Sequence, residues 1–399
     1  MNYTADEVLE YVREEDVKFI RLAFCDVTGK PKNLSVMPDE LPRALERGCP
    51  FYPAAVRGFD GAGSLLLHPD PTTLSVLPWR PDHGRVVRMY STVTKPDGAP
   101  HPADTRSLLR SAVQTAERAG VRFRFGAQQT FYLFRLDEEG NPTKEPYDRA
   151  GYMDIAPEDR GENIRREICL TLEQMGIRPE SSHHEEGPGQ NEIDFRYSDA
   201  LTAADQAMTF QTVVRTVAAR NGLYADFSPK PIPDMPGNGF HINMSVTPES
   251  GETFNGMIAG ILNRVEEMTA FLNPTEDSYR RLGQRKAPGY VSWSRENRSQ
   301  LVRIPAVTGG SPRAELRSAD PSANPYLAFA ILIQAAMEGI GAKAELPAEA
   351  NINFFKAEEE ELKGFKKLPG CLADARKVAG DSEFIKGCIP ESVLRIYCS

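Results

Sequence analysis

The sequence lacks any long apolar run. In its 399 residues, no apolar segment approaches the roughly 18 residues that a membrane-spanning helix requires. The opening stretch, MNYTADEVLEYVREED, also lacks the apolar centre of a signal peptide. We therefore predict that the protein has no membrane partner and works in the cytoplasm.

Paired cysteines and clustered positive charge are missing as well. The six cysteines are scattered without a Cys-x-x-Cys spacing, which favours reduced thiols over a disulfide or zinc framework. The formal net charge is -9, and no Lys/Arg stripe interleaved with aromatic residues occurs. A nucleic-acid partner is therefore not expected, because phosphate binding needs a basic surface. Small anionic ligands remain possible where arginines collect locally.

The length of the chain predicts two domains. A chain of 399 residues with 40% hydrophobic content is too long for one ordinary core and apolar enough for two. We place the domain boundary near residue 100. Residues 1–100 contain strand-like runs over 17–24 and 32–36, which indicate a small β-rich unit, whereas residues 101–399 contain a long alternating strand over 122–134 and several helices.

The most informative stretch is SSHHEEGPGQNEIDFRY, residues 181–197. Its central Gly-Pro-Gly predicts a turn between two polar arms, and hence a hairpin. Because side chains alternate on extended strands, His183 and Glu185 share one face, and Glu192 and Asp194 share a face of the returning arm. Facing carboxylates repel unless a cation or a base lies between them, so the hairpin indicates a divalent-metal site. A hairpin with merely solvated charged tips is the alternative.

Two further features indicate ligand binding. In the run GNGFHINMS, the Gly-Asn-Gly lets a ligand approach the backbone, and His241 follows on an alternating strand. A lone histidine is usually only hydrogen-bonded. Arginines are concentrated over residues 280–317, several of them in strand-like runs such as LVRIPAV and AELRSAD. Arginines held on strands suit paired hydrogen bonds to a carboxylate or a phosphate.

Taken together, these runs resemble the successive motifs of type I glutamine synthetases. The matching runs, in the order of the family, are GYMDIAP, SSHHEEGPGQNEIDFRY, FSPKP, GNGFHINMS, DSYRRL, NRSQLVRIP and RAELRSADPSANPYLAFA. In the first hundred residues, FCDVTGKPKNLSV and LHPDPTTLSVLPW resemble the small domain of the family. The resemblance implies an α+β fold, with a small N-terminal β-grasp domain plus a glutamine-synthetase-type catalytic domain whose curved antiparallel sheet is flanked by helices.

The resemblance also implies a chemistry and a set of site residues. The family activates the γ-carboxylate of glutamate with ATP, ammonia then displaces phosphate, and Mg²⁺ or Mn²⁺ ions screen the phosphates. The implied metal positions are His241 and Glu315 facing ATP, Glu185 and Glu192 beside glutamate, and Gln128 on the first metal strand. The implied catalytic residues are Arg317 and Arg298, which hold glutamate and the transferring phosphate, and Tyr152 in the ammonium pocket. The implied substrate-binding residues are Arg281 and Gly239 for glutamate and phosphate, Arg303 on the ATP side, and Ser245.

Four acidic positions of the family are substituted here. Gln128 and Thr130 stand where two metal-binding glutamates are expected, Tyr52 stands for the aspartate that takes a proton from ammonium, and Lys286 stands for the flap glutamate. Neutral oxygen donors can keep a coordination geometry, but each substitution removes a negative charge that would balance a divalent ion. We therefore predict weakened metal binding and an ammonium site without its base.

These departures predict that ordinary ammonia-dependent glutamine synthesis is lost or strongly reduced, while the arginine pocket for a small-molecule carboxylate and a nucleotide is retained. The alternative is an active ATP- and Mg-dependent ligase that joins a glutamate-like carboxylate to ammonia or another amine. A neutral amine would not need the deprotonating aspartate. A wholly different chemistry on the same fold is the third possibility, since fold does not fix function.

The resemblance finally implies a homo-oligomer. In the family, active sites lie between neighbouring subunits of a six-membered ring, and a C-terminal helical extension rich in Trp and Tyr locks two rings together in type I enzymes. Residues 389–399 carry nothing similar to that extension. We therefore expect a hexameric ring, or a dodecamer that dissociates on dilution because less apolar area would be buried between rings.

Overall fold

The structure is a computed structural model that describes residues 3–61, 63–80, 83–306 and 312–399. It is organised by two β-sheets, one of six strands and one of ten. Helices pack against one another and on the larger sheet. Within these ranges, no helix combines the length and the apolar character needed to cross a bilayer.

The first part of the chain forms the smaller sheet. Its elements are α1 (Ala5–Glu14), β1 (Val17–Cys25), β2 (Pro31–Val36), α2 (Leu41–Arg47), β3 (Cys49–Phe51), β4 (Leu65–Pro69), β5 (Ser75–Val76) and β6 (Arg85–Thr94). The strand order is β2-β1-β6-β4-β3, with β5 also paired to β6. The β1–β2 hairpin turns at Gly29, whose φ of +85° favours glycine. Asp26 accepts the backbone N–H of Thr28 and of Lys30 there, which fixes the turn.

The second part forms the larger sheet and most of the helices. Its elements are α3 (Thr105–Arg118), β7 (Arg122–Leu136), β8 (Pro142–Pro146), α4 (Glu162–Gln174), β9 (Pro179–His184), β10 (Gln190–Phe195), β11 (Ser198–Asp199), α5 (Ala200–Arg220), β12 (Leu223–Asp226), β13 (Phe240–Thr247), α6 (Gly251–Leu272), α7 (Glu276–Arg281), β14 (Trp293–Arg295), β15 (Val302–Ile304), β16 (Ala314–Leu316), α8 (Pro325–Gly341), α9 (Glu359–Leu362), α10 (Leu372–Asp381), α11 (Glu383–Cys388) and α12 (Glu391–Cys398). The strand order is β14-β15-β16-β13-β7-β10-β9, and β8, β11 and β12 also pair with β7. Among the described strand pairs of this sheet, only β14 and β15 run parallel.

Strand β7 is the centre of the larger sheet. It pairs with β13 along one edge and with β10 along the other. Its alternate residues Phe125, Ala127 and Phe131 are buried in the apolar core. The ring of Phe125 stacks on Phe329 of α8, with centroids 4.3 Å apart. Because strand side chains alternate, the intervening residues Gln128 and Thr130 point to the opposite face.

The helices behind the sheet approach one another closely. A Cβ added at Gly260 of α6 would lie 2.1 Å from the carbonyl oxygen of Ala335 in α8, so only glycine fits at this crossing. Helix α8 is apolar and buried along most of its length. These closely packed helices cover one face of the larger sheet, so the polar side chains of the site lie on the opposite face.

The architecture agrees with the α+β fold that the sequence predicts. The strand predicted over 122–134 extends to Leu136 in β7, and the one predicted over 17–24 extends to Cys25 in β1. Helix α5 begins at Ala200 because Asp199 caps it by accepting the N–H of Thr202. Strand β12 ends at Asp226, where the chain turns and the Asp226 carboxylate accepts the N–H of Ser228.

Candidate active site

The predicted hairpin is formed by β9 and β10. His183 lies opposite Glu192 in the register of the two strands. The turn between the strands packs tightly, since a Cβ at Gly187 would lie 2.0 Å from the hydroxyl oxygen of Tyr132. The hairpin interpretation of the sequence is therefore confirmed, and the turn needs its glycine for space.

The hairpin brings three ionisable side chains together. His183 Nε2 lies 3.5 Å from Glu185 Oε1 and 3.7 Å from Glu192 Oε1. The ligand-type atoms of these three residues all lie within 4.8 Å of one another. We call these three residues the His183 cluster. Sequence reasoning placed Glu185 and Glu192 here but gave His183 no metal role, although strand alternation put it on the same face.

A cation of the chain itself enters this cluster. Lys286 lies in the segment between α7 and β14, and its Nζ is 2.7 Å from Glu185 Oε2 and 3.2 Å from Glu186 Oε1. The same Nζ lies 5.2 Å from the ring centroid of Tyr152, a cation–π distance. The Tyr152 ring also meets His183 edge-on, with ring centroids 5.4 Å apart. Tyr152 is thus brought to the site, and the ammonium group that it contacts belongs to Lys286.

The two carboxyl groups of the cluster ionise very differently. Burial opposes ionisation of Glu185, but His183 and Lys286 at its two oxygens outweigh burial and lower its pKa to about 2. Burial, together with the charges of Asp194 and Glu185, raises the pKa of Glu192 to about 8. At neutral pH, Glu185 is therefore charged and paired, while Glu192 largely keeps its proton.

The two substituted positions on β7 are occupied by bonds within the chain. Gln128 Nε2 donates to Glu192 Oε1 at 2.6 Å, and Gln128 Oε1 lies 3.3 Å from His241 Nδ1. Thr130 Oγ1 accepts the backbone N–H of Gly239 at 2.8 Å. Neither side chain adds a negative charge at the positions where the resemblance implies one.

These contacts decide how well the site fits the divalent ions that the family uses. The atoms of the His183 cluster are close enough to share one cation. However, Glu185 already accepts a hydrogen bond from the ammonium group of Lys286, and Glu192 already accepts one from the amide of Gln128. Mg²⁺ and Mn²⁺ prefer several free, negatively charged oxygen ligands. As arranged, these residues do not fit a divalent ion.

The second predicted metal pair, His241 on β13 and Glu315 on β16, lies on the side of β7 away from the hairpin. His241 Nδ1 is 3.4 Å from Glu315 Oε1. Two arginines also bind this carboxylate, Arg303 at 3.0 Å and Arg317 at 2.8 Å. Burial and the nearby positive charges, with Arg317 foremost, hold the pKa of His241 well below its usual range. The imidazole is therefore neutral, and the charge of Glu315 is balanced by arginine.

Arg281 differs from these paired arginines. It is almost completely buried and donates to the backbone carbonyls of Ser318 at 2.7 Å and Arg317 at 3.4 Å. No carboxylate among the described residues forms an ion pair with it. Burial lowers the pKa of Arg281 to about 10, the charge of Asp320 opposes this shift, and Arg317 adds to it, so Arg281 remains charged at neutral pH. A buried guanidinium whose donors bind backbone carbonyls rather than a carboxylate attracts an anion.

Gly239 keeps the space between Arg281 and the histidine open. A Cβ at this position would lie 2.9 Å from His241 Nε2 and 3.2 Å from Arg281 Nη2. Arg298 belongs to the same group, since its backbone carbonyl accepts Arg317 Nε at 3.1 Å and its charge lowers the pKa of His241. The structure thus groups Arg281, Arg298 and Arg317 with Gly239 around His241, and the roles of these residues in binding stay predictions.

Two residues named in the sequence analysis, Ser245 and Tyr52, lie apart from the arginines around His241. Ser245 follows His241 by four residues on β13, which places it roughly 13 Å away along the same strand face. Tyr52 projects from the smaller sheet and is 75% exposed. A further residue, Glu186, was missed by sequence reasoning although it binds both Lys286 and Arg285. Its only signal was its position beside Glu185 in the hairpin.

Comparisons with known proteins identify the family of the whole chain. Residues 102–399 match the family model described as "Glutamine synthetase, catalytic domain", and residues 16–96 match "Glutamine synthetase, beta-Grasp domain". Glutamine synthetases of Clostridium saccharobutylicum and Methanosarcina mazei are each 41% identical to the chain over 413 and 412 residues. These alignments cover 99% of this chain and 93% and 92% of the two relatives.

Solved structures extend the comparison to the fold. A structure titled "Apo GmaS without ligand" has a TM-score of 0.88 at 27% identity and covers 98% of this chain and 93% of its own. A second, titled "GmaS/ADP complex-Conformation 1", has a TM-score of 0.87 at 26% identity, with coverage of 100% and 94%. These matches confirm the predicted β-grasp domain and the predicted type of catalytic domain. The chain belongs to the glutamine synthetase family.

Proposed function

We propose that this member of the family binds a glutamate-like carboxylate and a nucleotide but makes little or no glutamine from ammonia. The supporting observation is a contrast of charges within one site. Arg281 is buried and donates to backbone carbonyls, with Asp320 acting on it through charge alone, whereas Glu185 and Glu315 each bind a cation of the chain directly. The site therefore favours an anionic ligand over additional cations.

The arginine group explains how such a ligand would be held. A carboxylate that reaches the buried guanidinium of Arg281 would gain charge-assisted hydrogen bonds. The imidazole of His241 is neutral, so it would not draw the carboxylate away from Arg281, and the missing side chain of Gly239 leaves room for the ligand to approach. The nucleotide part of the proposal is supported by the relative whose title names a complex with ADP.

The amine side of the site supports the loss of glutamine synthesis. In the family, Mg²⁺ or Mn²⁺ and ATP supply charge neutralisation and activation of the carboxylate when bound. Here Lys286 places a positive charge 5.2 Å from the Tyr152 ring. Ammonium binding beside another cation is unfavourable, and Tyr52 supplies no carboxylate to take a proton from ammonium. Both effects act against the attack of ammonia.

A second candidate is an active ligase that uses another amine. One observation favours it: His241 and Glu315 remain 3.4 Å apart on the side that the resemblance assigns to ATP. A neutral amine would need no aspartate to remove a proton. This candidate predicts phosphate release from ATP that requires both a carboxylate and an amine.

We also propose that the protein forms a hexameric ring or a dodecamer that dissociates on dilution, and that it works in the cytoplasm. The exposed Tyr52 supports the ring, because the corresponding family residue acts in a neighbouring subunit's site. The cysteines that the structure describes are all unpaired, as expected in a reducing compartment. Light scattering from nanomolar to micromolar protein would measure the assembly.

The test combines an activity assay with ligand titrations. The purified protein is incubated with L-glutamate, ammonia, ATP and Mg²⁺ or Mn²⁺, and glutamine is measured by chromatography. Binding of L-glutamate and of ATP is measured by calorimetry in Arg281→Met and in Arg280→Met, a control on the exposed neighbour that pairs with Asp277. We expect no glutamine above the blank, and glutamate binding at least about tenfold weaker in Arg281→Met alone.

Two results would contradict the proposal. One is glutamine formation at about one turnover per second or faster, an ordinary rate for an enzyme. The other is unchanged glutamate affinity in Arg281→Met when circular dichroism shows that the variant is folded. Because Arg281 is buried, Arg281→Lys provides a second variant that keeps the charge but loses the fork of donors.

A further inference from the structure

The segment that carries Lys286 is held in a defined loop. Gly283 N–H donates to the carbonyl of Ala287, and Ala287 N–H donates to the carbonyl of Gln284, both at 2.9 Å. Lys286 itself has a φ of +66°, a left-handed conformation that is uncommon for a residue other than glycine. Such a conformation persists only where surrounding contacts hold it. The loop therefore aims the Lys286 side chain rather than leaving it in solvent.

Two cations of this loop, Lys286 and Arg285, face two carboxylates of the hairpin. Lys286 Nζ contacts the carboxylates of Glu185 and Glu186, and Arg285 Nη2 contacts Glu186 Oε2 at 3.1 Å. Two carboxylates thus face two cations from one short loop. Glu185 is buried, so its charge requires a partner, whereas an exposed pair would contribute little.

We infer that Lys286 is a tethered cation that takes the place of a divalent ion beside Glu185 and closes the 283–289 loop over the hairpin. The inference deepens the function proposed above and rests on it for the placement of the site. The substitutions at Thr130 and Lys286 act in the same direction, because one removes a ligand charge and the other adds a permanent cation.

Physical reasons favour this inference over a chance surface pair. An ammonium group 2.7 Å from Glu185 would strongly repel a divalent ion bound to the same carboxylate. Lys286 also contacts the Tyr152 ring, so three different groups hold it. Consequently, ligand binding in the neighbouring arginine pocket should not depend on added Mg²⁺ or on a chelator.

The experiment measures Mn²⁺ binding to the full chain without nucleotide, using the electron paramagnetic resonance signal of free Mn²⁺. Five proteins are compared: the parent, Lys286→Gln, Lys286→Arg, Arg285→Gln and the double variant Glu185→Gln/Lys286→Gln. Arg285→Gln is the matched control, since it removes a charge from the same loop that contacts Glu186 but not Glu185. Lys286 is on a loop and partly exposed, so its variants should fold.

We expect Lys286→Gln to bind one Mn²⁺ per chain at least roughly tenfold more tightly than the parent, because a repelling charge is gone. Lys286→Arg and Arg285→Gln should behave as the parent, and the double variant should lose the gain. Equal Mn²⁺ affinity in the parent and Lys286→Gln would overturn the inference, as would a gain that survives in the double variant. The readout is separate from the proposed function, since it involves neither glutamate binding nor glutamine formation.

Discussion

Two neighbouring histidines on one strand lead to two very different environments. His183 belongs to the His183 cluster on the site face of the sheet. His184 points the other way and lies with Asp148 and Asp159 in a fully buried group, which we call the His184 cluster. Both groups contain three ligand-type side chains within 4.8 Å of one another.

The difference between the clusters lies in how their polar atoms are satisfied. His184 uses both ring nitrogens, with Nε2 2.8 Å from Asp148 Oδ1 and Nδ1 2.7 Å from the carbonyl oxygen of Glu185. Asp159 pairs with Arg165. In contrast, His183 Nε2 is buried without a hydrogen-bond partner among the described residues. Proximity of histidine and acids therefore does not define a binding site; unsatisfied groups at an accessible face do.

The largest effect should come from breaking the His184 cluster. We expect His184→Ala to lower the free energy of unfolding by about 3 kcal/mol, because it leaves the buried charge of Asp148 without its partner. It also loosens the hairpin turn, since Asp148 accepts the N–H of Gly189. Urea denaturation at pH 7 measures the loss. A change below about 1 kcal/mol would show that the His184 cluster does not support the fold.

A smaller effect on the free energy of unfolding, one that depends on pH, is expected from replacing Glu192. Its pKa is raised from 4.5 to about 8, so the folded chain holds a proton that the unfolded chain releases. Stability should therefore fall as pH rises from about 4.5 to about 8. Glu192→Gln lacks this loss and should exceed the parent by on the order of 2 kcal/mol at pH 8, with little difference near pH 5.

Chemical denaturation across this pH range provides the measurement for Glu192. Glu145→Gln, a change to an exposed acid that pairs with Arg135, is the control and should follow the parent at every pH. A difference between Glu192→Gln and the parent that does not vary with pH would contradict the assigned proton.

The smallest effect should come from His183. We expect His183→Ala to change the free energy of unfolding at pH 7 by less than about 1 kcal/mol, because the ring is only partly buried and makes no strong hydrogen bond.

The same variant should, however, raise the pKa of Glu185 above about 2, since His183 helps to lower that pKa. The charge of Glu185 stabilises the fold above its unfolded pKa and is lost as pH falls toward 2, so the variant should unfold at higher pH on acidification. Carbon NMR of the Glu185 side chain would measure the shift, and an unchanged pKa would assign the lowering to Lys286 alone.

Much of the candidate site could be predicted because it depends on strand alternation. The face shared by His183, Glu185 and Glu192 follows from a side-chain period of two around a Gly-Pro-Gly turn. The grouping of Arg281 and Arg317 near His241 followed from the resemblance to the family. Neither argument could show which arginines would be paired with acids, because that depends on contacts across β15, β16 and β13.

The sequence by itself determined the α+β organisation, the hairpin and the family. These properties are local patterns or ordered motifs, and they can be read without knowing distances. Only the tertiary structure decided that Lys286 contacts Glu185, that Gln128 donates to Glu192, and that Arg281 donates to backbone carbonyls rather than to a carboxylate. Those three facts depend on the side-chain directions of residues far apart in the chain, and the free energy of a buried charge is set by what lies within a few ångströms of it.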